Sequence, residues 1–114
     1  MMNRVISLAM VALLAGVPSI TITESSQAQT MQDRKAEADR LNQQGNQQYY
    51  KSQYREAFQS WEQALQIYRE IKNLNGEATS LNNLGAAYNS LGQYQKAIEY
   101  YQQSGGVTKL LNRL

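Results

Sequence analysis

"LNNLGAAYNSLGQYQKAIEYYQQS", Leu81 to Ser104, carries two apolar stripes separated by a three-residue break. Ala78, Leu81, Leu84, Gly85 and Tyr88 recur at steps of three and four, the spacing of one face of a helix. Leu91-Gly92-Gln93 interrupts the pattern, and Tyr94, Ala97, Ile98 and Tyr101 then resume it. The stretch reads as a helical hairpin, and it has a counterpart upstream. A shift of forty residues lays Glu37-Ala38 on Glu77-Ala78, Leu41-Asn42 on Leu81-Asn82, and Gly45 on Gly85. The same shift lays Gln53-Tyr54 on Gln93-Tyr94, Ala57 on Ala97, Phe58 on Ile98, Trp61 on Tyr101 and Gln63 on Gln103. One offset held from Glu37 to Gln63 indicates stacked repeats, each a pair of antiparallel helices.

The expected fold is therefore all-α, two tandem antiparallel helix-turn-helix repeats of a solenoid. The first pair spans residues 29–73 and the second, shortened at its C-terminal end, residues 74–104. In the first pair Lys51-Ser52-Gln53 is the break, with Ser52 expected to cap the next helix. That helix carries Tyr54, Ala57, Phe58, Trp61, Ala64, Leu65, Tyr68 and Ile71 on one face. Asn73-Leu74-Asn75-Gly76 reads as the turn that ends it, and Thr30 with Asp33 as the cap of the opening helix. Gly45 and Gly85 lie inside helices, where glycine costs about 1 kcal/mol against alanine. Their shared register implies a neighbouring helix pressed against the backbone, with Ala57 and Ala97 on the facing side.

Gly105-Gly106 reads as a break, leaving residues 105–114 as an apolar tail with Val107, Leu110, Leu111 and Leu114. Two readings of that tail stand side by side. Thr108 starts a short helix that folds the leucines back as a cap, or the array is truncated or frame-altered there.

These residues resemble the tetratricopeptide repeat family, in which Leu, Gly and an aromatic on one helix meet Tyr, Ala and an aromatic on the next. Leu81 to Ser104 matches that pattern closely. Leu41 to Ala64 departs from it, with Gln44 in place of Leu84 and Gln48 in place of Tyr88. The forty-residue period resembles a longer-linker variant common in exported bacterial proteins. On the resemblance, the packing positions are Leu41, Gly45, Tyr54, Ala57, Trp61, Leu81, Gly85, Tyr88, Tyr94, Ala97 and Tyr101. The concave wall that receives a partner would present Asp39, Asn42, Asn46, Tyr49, Asn82, Asn83 and Asn89. Family members that clamp a C-terminal carboxylate use Lys and Arg there, so Asp39, Asn42, Asn82 and Asn83 argue against such a clamp. Among the tyrosines, Tyr50 and Tyr100 fall off the packing stripe and are expected as exposed contact surface.

The first 28 residues read as an address. Arg4 precedes an uncharged apolar run from Val5 to Val17, and Ser26-Gln27-Ala28 offers a small-residue exit before Gln29. Basic head, apolar core and small-x-small exit are the parts of a secretory signal peptide. The run is thirteen residues long, short of the roughly 20 that a spanning helix needs. Export to the periplasm or medium is the expectation, and an uncleaved anchor over residues 5–23 the alternative.

Composition excludes most chemistry. The chain has 114 residues, no Cys and no His, which removes thiol nucleophiles, disulfides, the usual neutral-pH base and ordinary zinc sites. The net charge of +2 is scattered: Arg34, Lys35 and Arg40 alternate with Asp33, Glu37 and Asp39. Nucleic-acid binding needs a basic stripe, and none is seen. The acids form no catalytic or metal-binding motif, so no enzyme, cofactor or metal is expected. The expected function is an exported scaffold or adaptor that binds a protein or peptide. The alternative is the front piece of a larger protein whose downstream domain, on the resemblance a caspase-like peptidase, is absent here. Two helix pairs bury little core, so marginal stability or self-association through the last helix is also expected.

Overall fold

The computed structural model describes residues 17–114, with side chains from residue 26 onward. Four helices follow one another: α1 Val17–Tyr50, α2 Tyr54–Glu70, α3 Leu74–Ser90 and α4 Tyr94–Arg113. The fold is all-α, and it falls into two compact units, residues 1–33 and 34–114. In the first, Thr30 Oγ1 donates to Ser26 O at 2.9 Å and Gln29 Nε2 to Asp33 Oδ1 at 3.3 Å, both within the helix. Thr30 therefore lies in a helix interior and does not cap one. The apolar run Val5–Val17 lies, but for Val17, outside the described residues. Among the described residues no helix is long and apolar enough to cross a membrane.

The second unit is built on a twenty-residue backbone rhythm. Ser52, Lys72 and Gly92 each adopt positive φ, at 62°, 57° and 77°. Around each the same two bonds close the preceding helix. Ser52 N donates to Tyr49 O and Gln53 N to Gln48 O, with equivalents at Lys72–Asn73 and Gly92–Gln93. This is the Schellman ending, with the left-handed residue just past the helix. Ser52 is thus the left-handed residue and Gln53 occupies the cap position, without a side-chain cap bond. The second turn lies earlier than the sequence suggests. Asn73 caps α3 by accepting from Gly76 N at 2.8 Å, and Leu74, Asn75 and Gly76 are already helical. Gly76 is required there because a Cβ would collide with the ring of Tyr68.

Two buried clusters hold the unit together. Ala38, Leu41, Ala64, Ile67 and Tyr68 join α1 to α2. Ala57, Trp61, Leu65, Leu81, Leu84, Ala87 and Val107 join α2, α3 and α4. A Cβ at Gly45 would stand 2.5 Å from Trp61 Nε1, and one at Gly85 2.9 Å from the Tyr101 ring. The glycines do admit close helix contact, but an aromatic ring occupies the space, with Ala57 and Ala97 buried nearby in the interface.

α4 does not stop at Gly105-Gly106; it runs unbroken to Arg113. The expected break and separate tail are corrected by this. Val107 is buried in the second cluster and Leu111 is half-buried. They occupy the positions of Ile67 and Ile71 under the forty-residue shift, so the last turns of the second hairpin are present. Tyr94, Ile98 and Tyr101, expected as packing residues, are 63, 47 and 40% exposed. The reason is geometric: the matching stripe of α2 is covered by α3, and no further helix among the described residues covers that of α4.

Candidate partner-binding groove

The first helix of each hairpin, α1 and α3, lie side by side and share a groove floored by α2. Lys35, Asp39, Asn42 and Tyr68 face Asn73, Asn75, Gly76 and Thr79 across a hollow of about 370 Å³. Further along, Asn46, Tyr49, Tyr50 and Trp61 face Asn83 and Ala86 across one of about 140 Å³. Tyr49 and Ser90 hydroxyls bond to each other near its end.

Three asparagines link the two walls. Asn83 Nδ2 donates to Asn42 Oδ1 at 3.1 Å and to Asn46 Oδ1 at 3.4 Å. Trp61 Nε1 donates to the same Asn46 Oδ1 at 3.1 Å and to Asn42 O at 3.2 Å. Asn46 Oδ1 is thereby fully used. What remains for a ligand is the Nδ2 amides of Asn42 and Asn46 and the Oδ1 of Asn83, held in place by the network. An extended peptide backbone, which alternates N–H and C=O, is matched by donors and an acceptor so arranged. The Trp61 link was not foreseen from the sequence. The available signal was a tryptophan on a buried stripe, whose indole N–H must find an acceptor.

Asp39 sits at the other end, 2.8 Å from Lys35 Nζ and accepting from the Tyr68 hydroxyl. Burial alone would raise its carboxyl, but the bonds from Lys35 and Tyr68 and the Lys35 charge hold it below the usual range. Burial first, then the bond to Asp39 and its charge, push the Tyr68 phenol well above the ordinary tyrosine value. Asp39 is therefore anionic at neutral pH and Tyr68 a fixed donor. An anionic ligand group is disfavoured at this end.

Of the sequence-predicted wall residues, Asp39, Asn42, Asn46, Tyr49 and Asn83 line the groove, while Asn82 and Asn89 are exposed outside it. Asn82 and Asn89 stand forty residues after Asn42 and Tyr49, on the side of α3 that faces no further helix among the described residues. Tyr50 is 85% exposed, as expected. Tyr100 is not: it is half-buried and stacks on Tyr88 with centroids 5.4 Å apart and planes at 17°. Burial, then Tyr88 and Glu62, raise its phenol. The more exposed ring of the pair is Tyr101.

A larger hollow of about 590 Å³ lies between α2 and α4, lined by Glu62, Leu65, Gln66, Arg69, Glu70 and Tyr100. Its two central charged groups are bonded to residues outside the lining. Arg69 holds Glu77 at 3.1 Å and Gln103 at 3.3 Å, and Glu70 holds Arg34 at 2.6 Å. Among the described residues no group of three carboxylates gathers as a metal site would require.

A family model described as tetratricopeptide repeat matches residues 36–104. No curated protein matches the chain.

Proposed function

Because the chain belongs to the tetratricopeptide repeat family, whose repeats serve as protein-interaction modules, we propose that it is an exported adaptor that receives a polypeptide segment in the α1/α3 groove. The observation that carries this reading is the Asn42–Asn46–Asn83 network, which leaves two donors and one acceptor fixed along an open groove. The favoured ligand is an extended, uncharged stretch within a chain. A terminal carboxylate would meet Asp39 and no unpaired cation beside it. Export rests on Arg4, the run Val5–Val17 and the Ser26–Ala28 exit.

The single tryptophan of the chain lies under the groove, so its fluorescence reports occupancy. A library of neutral extended peptides should contain sequences that shift Trp61 emission saturably, with affinity lowered about 10-fold or more by Asn83→Ala, the loss of one or two hydrogen bonds. Peptides that bind the double variant Asn46→Ala/Asn83→Ala as well as the wild type would sink the groove assignment. Export is checked by fractionation: recovery of the chain in the cytoplasm with residues 1–28 intact would overturn it.

A further inference from the structure

α4 carries an exposed stripe, in which only the ring of Tyr101 lies against another helix, over Gly85. Tyr94, Ile98 and Tyr101 are 40% exposed or more. Gly105, in line with them, meets no atom within 4 Å of where a Cβ would stand. Tyr94, Ile98, Tyr101, Gly105 and Thr108 follow at alternating steps of four and three, the spacing of a helix–helix seam. The corresponding stripe of α2 holds a helix. Phe58 stacks near Tyr88 at 4.5 Å, and Trp61 and Leu65 bury against Leu81 and Leu84.

We propose that the seam is filled by α4 of a second copy running antiparallel, giving a two-fold symmetric dimer. Centring the crossing midway between Ile98 and Tyr101 sets Ile98 against the partner's Tyr101 and Tyr94 against the partner's Gly105. Every large side chain then meets a complementary position, twice over, as an isologous interface demands. The ring of Tyr94 lies on the partner's Gly105 as Trp61 lies on Gly45 within the chain. This gives an exposed mid-helix glycine, which costs about 1 kcal/mol and serves no contact within the chain, a role.

Charge agrees with this pairing. The seam holds no ionised side chain, and the flanking residues that meet across the two-fold are Gln95 and Gln102, both amides. A head-to-tail arrangement fits worse. The outer face of α1 has Gln44 and Gln48 where α3 has Leu84 and Tyr88, so Ile98 would be buried against an amide. One helix from each copy makes a small contact, in the weak class below about 1,200 Å² of total buried area.

Sedimentation velocity of the full chain, from about 1 to 300 μM, spans the affinities of that class. The wild type should pass from one to two chain masses. Ile98→Glu should stay at one mass while keeping its helical circular dichroism, and Gly106→Ala, which lies off the seam, should still dimerise. The absence of cysteine permits a second readout that does not depend on disrupting the seam. When Gln95→Cys and Gln102→Cys chains are mixed with a short bis-maleimide, the 95-to-102 product should exceed 95-to-95 and 102-to-102 several-fold. A wild type at one mass throughout, a dimer that survives Ile98→Glu, or equal yields of the three products would each overturn the proposal. Groove binding is read separately by Trp61 emission, so loss of the dimer in Ile98→Glu with peptide binding intact distinguishes the two sites.

Discussion

The same substitution at three glycines of this chain meets three different surroundings. At Gly45 a methyl group would enter the indole of Trp61, which is 3% exposed and tied to Asn42 and Asn46. Overpacking of that kind costs about 1–3 kcal/mol, which exceeds the helix gain of about 1 kcal/mol. At Gly85 the obstruction is Tyr101, 40% exposed and free to shift, so the two terms nearly cancel. At Gly106 there is no obstruction. Chemical denaturation of the three Ala variants should rank them Gly45→Ala least stable, Gly85→Ala close to wild type, and Gly106→Ala more stable by about 0.5–1 kcal/mol. Tyr68 and Asp39 make a pH-dependent pair at the same scale. The Asp39 carboxyl is lowered in the folded chain, so its contribution is present above the unfolded carboxylate range, near pH 4, and is lost as pH falls. The Tyr68 phenol is raised, so its contribution is present below about pH 10 and is lost as pH rises beyond it. Melting temperature against pH should decline at both ends in the wild type. In Tyr68→Phe the alkaline decline should be shallower, and a slope equal to wild type there would contradict the assignment.

Elements end in this chain by backbone geometry more than by side-chain caps. Three turns repeat one Schellman pattern, yet only Gly92 brings a glycine to the left-handed position; Ser52 and Lys72 hold the same φ with a Cβ. Left-handed geometry costs an L-residue about 1–2 kcal/mol, partly offset by the greater freedom glycine has when unfolded. Ser52→Gly and Lys72→Gly should each stabilise by about 0.5–1 kcal/mol, and Gly92→Ala should destabilise by a similar amount; thermal melts of the three decide it. Side-chain periodicity made the helices and both repeats legible, because burial of one face imposes it directly. The ends were harder to read. Asn73-Leu74-Asn75-Gly76 has turn chemistry, but Asn73 uses it to cap and Gly76 to admit Tyr68. Gly105-Gly106 resembles a stop because two adjacent glycines stand where the first hairpin has Leu65 and Gln66. Two glycines cost about 2 kcal/mol, while burying Val107 contributes about 1.5–3 kcal/mol. The forty-residue shift of Val107 onto Ile67 already carried that information. The family resemblance also implied Asn42, Asn46 and Asn83 on one wall, but not their bonding to one another, which depends on the offset between two helices.

Across residues 34–114 the two hairpins are unequal in core. The first has a buried cluster of its own, Ala38, Leu41, Ala64, Ile67 and Tyr68. The second has none that excludes the first: Leu81, Leu84, Ala87 and Val107 are buried together with Ala57, Trp61 and Leu65 of α2. α4 contributes only Ala97 and Val107 as buried residues. In a stacked array stability is a sum of unit and neighbour-interface terms, so the second hairpin here folds on the interface term. Leu84, with no exposed surface, is central to it, and Leu84→Ala should cost about 2–5 kcal/mol. Because α2 and α3 share that cluster, the loss should lower a single transition and not split off a separate melt of the second hairpin. Native-state hydrogen exchange gives the complementary profile. Amides of Ala57–Tyr68 and Ser80–Ala87 should exchange slowest, at the global unfolding free energy. Those from Gly105 to Arg113 should exchange fastest among the α2–α4 amides, since only Val107 is buried there and two glycines weaken the local helix. If Leu84→Ala instead leaves α1–α2 protection unchanged while α3–α4 exchanges freely, the first hairpin is stable alone and the interface supports only its neighbour.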